Sequence, residues 1–125
     1  MTPELQGLAT LDRIIHEPAR LMVMTVLSSV KEADFLYLQC ECGLTQGNLS
    51  SHLAKLEEAG YVAIDKMFKG KYPLTVCSLT PKGREAFSEY VQKIRVLAAA
   101  PSQALSRAPA GRPRNPDESP ARDIR

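Results

Sequence analysis

Thr45-Gln46-Gly47-Asn48-Leu49-Ser50-Ser51-His52-Leu53-Ala54-Lys55-Leu56-Glu57-Glu58-Ala59-Gly60 reads as one helix with both ends marked. Thr45 is of a type that caps a helix by accepting a bond from a free backbone N–H. Gly60 is of the type that stops one by turning left-handed. Leu49, Leu53 and Leu56 recur at i, i+4 and i+7 and make one stripe for burial. Gly47, Ser51, Ala54, Lys55 and Glu58 fall on the opposite face, flanked by Asn48 and Ser50. A small, hydrogen-bonding surface at a helix N-terminus suits insertion into a DNA major groove. Taken alone, the same pattern also describes an ordinary amphipathic surface helix.

The residues after Gly60 separate the two readings. Tyr61 to Met67 is an extended run with Val62 and Ile64 at period two. Phe68-Lys69-Gly70-Lys71-Tyr72-Pro73 is a turn-rich tip, and Leu74 to Leu79 is a second extended run with the β-formers Thr75 and Val76. This predicts a two-stranded hairpin joined directly to the helix, with Lys69 and Lys71 at its tip and Lys66 just below. A basic hairpin beside such a helix is the pattern of a winged helix-turn-helix, in which the helix reads bases and the wing grips phosphate.

Leu44 to Val62 resembles the core motif of small bacterial and archaeal winged-helix transcriptional regulators, between the MarR-like and ArsR-like groups. Lys71-Tyr72-Pro73-Leu74-Thr75 and Ser78-Leu79-Thr80-Pro81-Lys82-Gly83-Arg84 are similar to that family's wing and last-helix entry. Ile15-His16-Glu17-Pro18-Ala19-Arg20-Leu21 resembles its first-helix signature. The likeness runs in order from about Leu11 to Leu97. It implies a DNA-binding regulator, usually a homodimer.

Composition agrees. A chain of 125 residues holds one domain with a modest core. No apolar run approaches the ~18–20 residues that span a bilayer. Met1-Thr2-Pro3-Glu4-Leu5-Gln6 lacks the basic and apolar regions of an export signal. Three cysteines do not make a disulfide framework, so a reducing cytoplasm is the expected location. The net charge is only +2, and residues 1–100 carry 11 basic and 11 acidic side chains. DNA affinity must therefore come from local asymmetry: the wing lysines, Lys55 and helix N-termini.

The rest of the chain fits around this unit, giving a mainly α fold of five helices plus the wing over residues 1–100. Leu5, Leu8, Leu11, Ile14 and Ile15 recur at helical spacing and predict a first helix, which Glu17-Pro18 breaks and restarts. Leu21, Met22, Met24, Val26 and Leu27 predict an apolar second helix. Asp34 caps a third through about Cys42, and Gly43-Leu44 is the turn before the recognition helix. Thr80-Pro81 opens a last helix with Phe87, Tyr90, Val91, Ile94 and Leu97 as its stripe. Residues 101–125 hold five Pro, five Arg and almost no large apolar residues, the composition of a disordered tail, read either as a solvated extension or as a loose basic arm adding phosphate contacts.

The residues expected to meet DNA are Thr45, Gln46, Asn48, Ser50, Ser51, His52 and Lys55 on the helix and Lys66, Lys69 and Lys71 on the wing. Gln and Asn match the paired donor and acceptor of adenine. Arg20 is either a phosphate contact or an ion-pair partner. His16 belongs to the break between the first helices. One recognition helix covers too few base pairs to select a genomic site, so a homodimer on an inverted-repeat operator is expected, with half-sites ~10 bp apart. Leu5, Leu8, Leu11, Tyr90, Ile94 and Leu97 are the expected dimer contacts; the alternative is that both terminal helices fold back onto one core.

Cys40-Glu41-Cys42 is similar to the Cys-x-Cys metal sites of arsenical-type repressors, but it lies at the end of its helix instead of near the start. Residues two apart on a helix point nearly opposite ways. Cys77 and His52 are the further soft ligands a thiol or metal sensor would need, and buried, inert cysteines are the other reading. No metal or cofactor is implied. No phosphate loop, metal set or nucleophile motif is visible, so an enzyme is not expected. The remaining alternative is a winged-helix protein-interaction module that does not bind DNA. The sequence names no small-molecule effector.

Overall fold

The computed structural model describes residues 2–99, so the tail expected at 101–125 lies outside the described residues. In chain order the elements are α1 (Pro3–Ala9), α2 (Pro18–Ser28), β1 (Ala33–Asp34), α3 (Phe35–Cys42), α4 (Gln46–Glu58), β2 (Val62–Lys69), β3 (Tyr72–Leu79) and α5 (Pro81–Ala99). The fold is mainly helical with a small antiparallel sheet. The sheet has three strands in the order β1-β3-β2, one more than the hairpin alone. Ala33 pairs with Cys77 and Asp34 with Val76. Asp34 then ends that strand by capping α3, its Oδ1 accepting the Tyr37 N–H at 2.8 Å. Two residues are too few to show a period, which is why β1 was not visible in the sequence.

The ends of α4 match the sequence closely. Thr45 Oγ1 accepts the Asn48 N–H at 3.1 Å. At the other end Gly60 takes φ +83°. That conformation lets the Tyr61 N–H reach the Leu56 carbonyl and the Gly60 N–H reach Glu57, both at 2.9 Å. This is the double bond of a Schellman cap. It aims the chain straight into β2, with Tyr61 as the one residue between the cap and the wing.

Leu49, Leu53 and Leu56 of α4 meet Val23, Met24 and Leu27 of α2, Leu38 of α3 and Cys77 of β3 in one core. Fully burying an aliphatic side chain of this size contributes roughly 1.5–3 kcal/mol. The wing is in register from Val62↔Leu79 to Lys69↔Tyr72, leaving Gly70-Lys71 as a two-residue loop.

The amino-terminal segment departs from expectation. The spacing from Leu5 to Ile15 predicts one helix, but α1 stops at Ala9. Asp12 explains the stop. Its Oδ1 accepts the N–H of Ile14 at 2.8 Å and of Ile15 at 3.3 Å, a local turn that competes with helix. The turn drives Leu11 and Ile15 into the core, at 7% and 0% exposure. Tyr90 is also buried, at 5%, with its hydroxyl 2.7 Å from Nδ1 of His16. Leu11 and Tyr90 are thus part of this chain's own core. Ile94 packs partly against the same core. Leu5 and Leu8 stay exposed and Leu97 is half-buried.

Candidate nucleic-acid interface

The leucine stripe holds α4 down by one side and leaves its opposite face open. Thr45, Gln46, Asn48, Ser50, Ser51 and Lys55 are all exposed. Helical geometry divides them into two flanks. Gln46 and Ser50 lie toward the wing, and Asn48, His52 and Lys55 lie toward α2. Ser51 stands between, farthest from the core. Thr45 is partly spent: its hydroxyl oxygen is engaged in the cap and only its proton is free to donate.

On the wing side a groove of about 340 Å³ runs between α4 and the sheet. Gln46 and Ser50 line it from the helix, Ile64, Lys66 and Thr75 from the strands, and Phe35 from the start of α3. Residues 20 apart in sequence, Gln46 and Lys66, thus share one concave surface. Lys69 and Lys71 lie further out along the exposed hairpin and do not line this groove. Glu57 also lines the groove, near the helix C-terminus, so acid sits at the end away from Gln46.

On the α2 side the structure adds a linkage that the sequence did not reveal. Glu17 caps α2 with both carboxylate oxygens, accepting the N–H of Ala19 and of Arg20 at 3.0 Å each. Burial works against its charge, but the two backbone donors and the His52 and Arg20 charges outweigh it and hold its carboxyl below the usual value. Arg20 donates to the Ile14 carbonyl at 2.6 Å and pairs with Glu17 at 3.7 Å. Nδ1 of His52 lies 3.2 Å from Arg20 and 3.4 Å from Glu17. Arg20 thus pairs with Glu17 and the Ile14 carbonyl, and His52 ties the middle of α4 to the start of α2. The ring is half-buried.

The junction below α4 is equally tied. The Tyr61 hydroxyl donates to Asp12, and burial, then that bond, push its pKa up to about 12. Thr80 donates its hydroxyl to the Gly60 carbonyl at 2.6 Å and accepts the Gly83 N–H at 2.9 Å. No motif marks the Tyr61–Asp12 and Thr80–Gly60 pairs, because each joins positions distant in sequence; the Thr80–Gly83 bond is the local cap of α5.

The cysteines do not assemble. Cys40 is exposed, while Cys42 and Cys77 are buried. Burial, then Glu41, raises the Cys42 thiol. Burial pushes Cys77 up to about 11, with Glu57 and Asp34 adding to it. Both are protonated and poorly nucleophilic near neutral pH. Among the described residues no group of three or more His, Cys, Asp or Glu side chains is placed to hold a metal. Among the same residues no helix is long and apolar enough to cross a membrane.

The family model described as a winged helix DNA-binding domain matches residues 19–97. An uncharacterized protein of Methanocaldococcus jannaschii is 37% identical over 87 residues, covering 69% of this chain and 94% of that one. The structure of a transcriptional regulator homologue from Pyrococcus horikoshii OT3 superposes with a TM-score of 0.73 at 29% identity, over 79% of this chain and 97% of that one. A protein described as a MarR-family transcriptional regulator, from Enterococcus faecalis V583, has the same fold. Its TM-score is 0.62 at 20% identity, over 86% of this chain and 96% of that one.

Proposed function

Because this chain belongs to the winged helix DNA-binding domain family, we propose that it is a sequence-specific transcriptional regulator acting as a homodimer on an inverted repeat. In this reading α4 enters the major groove. Gln46 and Asn48 meet base edges nearest its N-terminus, and Ser50, Ser51 and Thr45 meet bases or phosphates. Lys55, Lys66, Lys69 and Lys71 neutralise phosphates. His52 holds the helix at its working angle through Arg20 and Glu17.

The observation that carries the reading is the groove in which Gln46 and Ser50 face Lys66. A base-reading edge and a phosphate-gripping strand are held a fixed distance apart by the capped turn at Gly60. Contacts that position and contacts that specify are then separate, as DNA recognition requires. Dimerisation is assigned to the apolar side chains that the core leaves open on the two terminal helices, Leu5 at 50% and Leu8 at 42% exposure on α1 and Val96 at 49% on α5, with half-buried Leu97 next to it. Exposed apolar groups gathered on terminal helices favour a partner surface.

Selection from a random duplex pool tests the whole reading. The expected result is enrichment of an inverted repeat with half-site centres about one helical turn apart. A pool that stays random after selection refutes base reading.

A further inference from the structure

Phe68 and Tyr72 stand at the wing tip, 72% and 78% exposed, and neither has a part in the contacts assigned to α4 and the lysines. Strand alternation separates them. Phe68 is paired with Pro73 and lies on the same face as Ile64, Lys66 and Thr75, the face that lines the groove beside α4. Tyr72 is paired with Lys69 on the opposite face. Phe68 sits two residues beyond Lys66, about 7 Å further out along the strand. From Lys66 to Leu74 there are three lysines and no acid. A cationic ribbon of this kind draws a polyanion. The apolar surface that duplex DNA offers lies between its base pairs, and Phe and Pro are among the side chains that open base steps from the minor groove.

We propose that Phe68, backed by Pro73, is a wedge: it inserts between neighbouring base pairs from the minor groove and bends the duplex, while Lys66, Lys69 and Lys71 hold the flanking phosphates. The inference rests on the reading of α4 and the wing as a DNA-binding surface. It adds a source of specificity that needs no hydrogen bond. Flexible steps such as TA open at least cost, so the wing selects the step on which it lands.

The chain contains no tryptophan, so Phe68→Trp supplies a single emitter. The probe is the duplex recovered by selection with the unaltered chain, carrying a dye at each end. Emission of Phe68→Trp is expected to be quenched on binding, and that of Tyr72→Trp, on the opposite face, to be unchanged. End-to-end energy transfer should report a bend of about 20–90°. Phe68→Ala should abolish the bend and weaken binding roughly tenfold. Its salt slope should not change, because no charge is lost. Phe68→Leu should keep the bend, as should Tyr72→Ala. A bound duplex that leaves Phe68→Trp emission unchanged, or a bend that survives Phe68→Ala, overturns the wedge and leaves the ring free for another occupant. Failure of the unaltered chain to bind any duplex overturns the DNA reading itself, and the wedge with it.

Discussion

Gly83 is the position where one added carbon does the most damage. It lies in the first turn of α5, buried against the backbone of Tyr61. A Cβ built there would stand 2.0 Å from the Tyr61 carbonyl oxygen and 2.8 Å from its carbon. Ordinary contact begins near 3.4 Å, so the oxygen is about 1.4 Å too close. Neither side gives easily. The Tyr61 carbonyl accepts the Thr80 N–H at 3.0 Å, and the Tyr61 N–H closes the α4 cap at 2.9 Å. Overpacking costs typically ~1–3 kcal/mol and sometimes more. With backbone on both sides, Gly83→Ala belongs at the upper end of that range, about 3 kcal/mol. For a folded unit of this size each kcal/mol moves Tm by roughly 4–8 °C, so a fall of about 12–24 °C is expected. Thermal melting followed by circular dichroism at 222 nm measures it. Gly7→Ala is the control: it sits in α1 with nothing within 4 Å of the added carbon, so Tm should hold or rise. A fall of less than about 3 °C for Gly83→Ala refutes the close-approach argument.

Replacing Gln46 or Asn48 with Ala should cost roughly 1–3 kcal/mol on a selected duplex and little on a scrambled one. Equal losses on both, read by fluorescence anisotropy, reject base reading. Glu17→Ala should destabilise by roughly 0.5–2 kcal/mol at neutral pH through loss of the α2 cap. Because the folded carboxyl is held below its ordinary value of 4.5, this contribution is complete above that pH and fades as pH falls through the lowered value. The melting curves of the two proteins should therefore converge in acid. A difference as large in strong acid as at neutrality contradicts the assignment. Light scattering at micromolar concentration should give a dimer mass, and Leu8→Glu should halve it and lower DNA affinity; Leu8 suits the test better than Ile94, which packs on the core. A monomer mass for the unaltered chain, with or without DNA, defeats the dimer.

Helix α4, its caps and the wing were legible because their signals are local. A capping Thr, a leucine period and a terminal Gly all lie within one stretch, and the hairpin comes directly after it. The order of five helices was legible for the same reason. The start of the chain was not. Leu5 to Ile15 keep helical spacing, but Asp12 binds two backbone N–H groups and ends the helix, and spacing alone cannot weigh that competition. Leu11 and Tyr90, expected from the sequence as dimer contacts, are part of the chain's own core. The linkage of Glu17, Arg20 and His52 and the bond from Tyr61 to Asp12 join distant positions, and a single sequence carries no record of such contacts. Gly83 was visible only as a residue in a motif; its reason is a backbone approach that needs the fold.

Titration of a labelled duplex across several salt concentrations tests the central claim most directly, because it separates a DNA reader from an interaction module with the same fold. The log of the affinity should fall steeply and linearly with the log of salt, by about 0.9 for each phosphate neutralised. Changing Lys69 and Lys71 to Ala should weaken binding to every duplex alike and flatten the line by about 0.9 for each contact removed. A flat line for the unaltered chain, or no binding at low salt, would contradict the assignment of α4 and the wing to DNA.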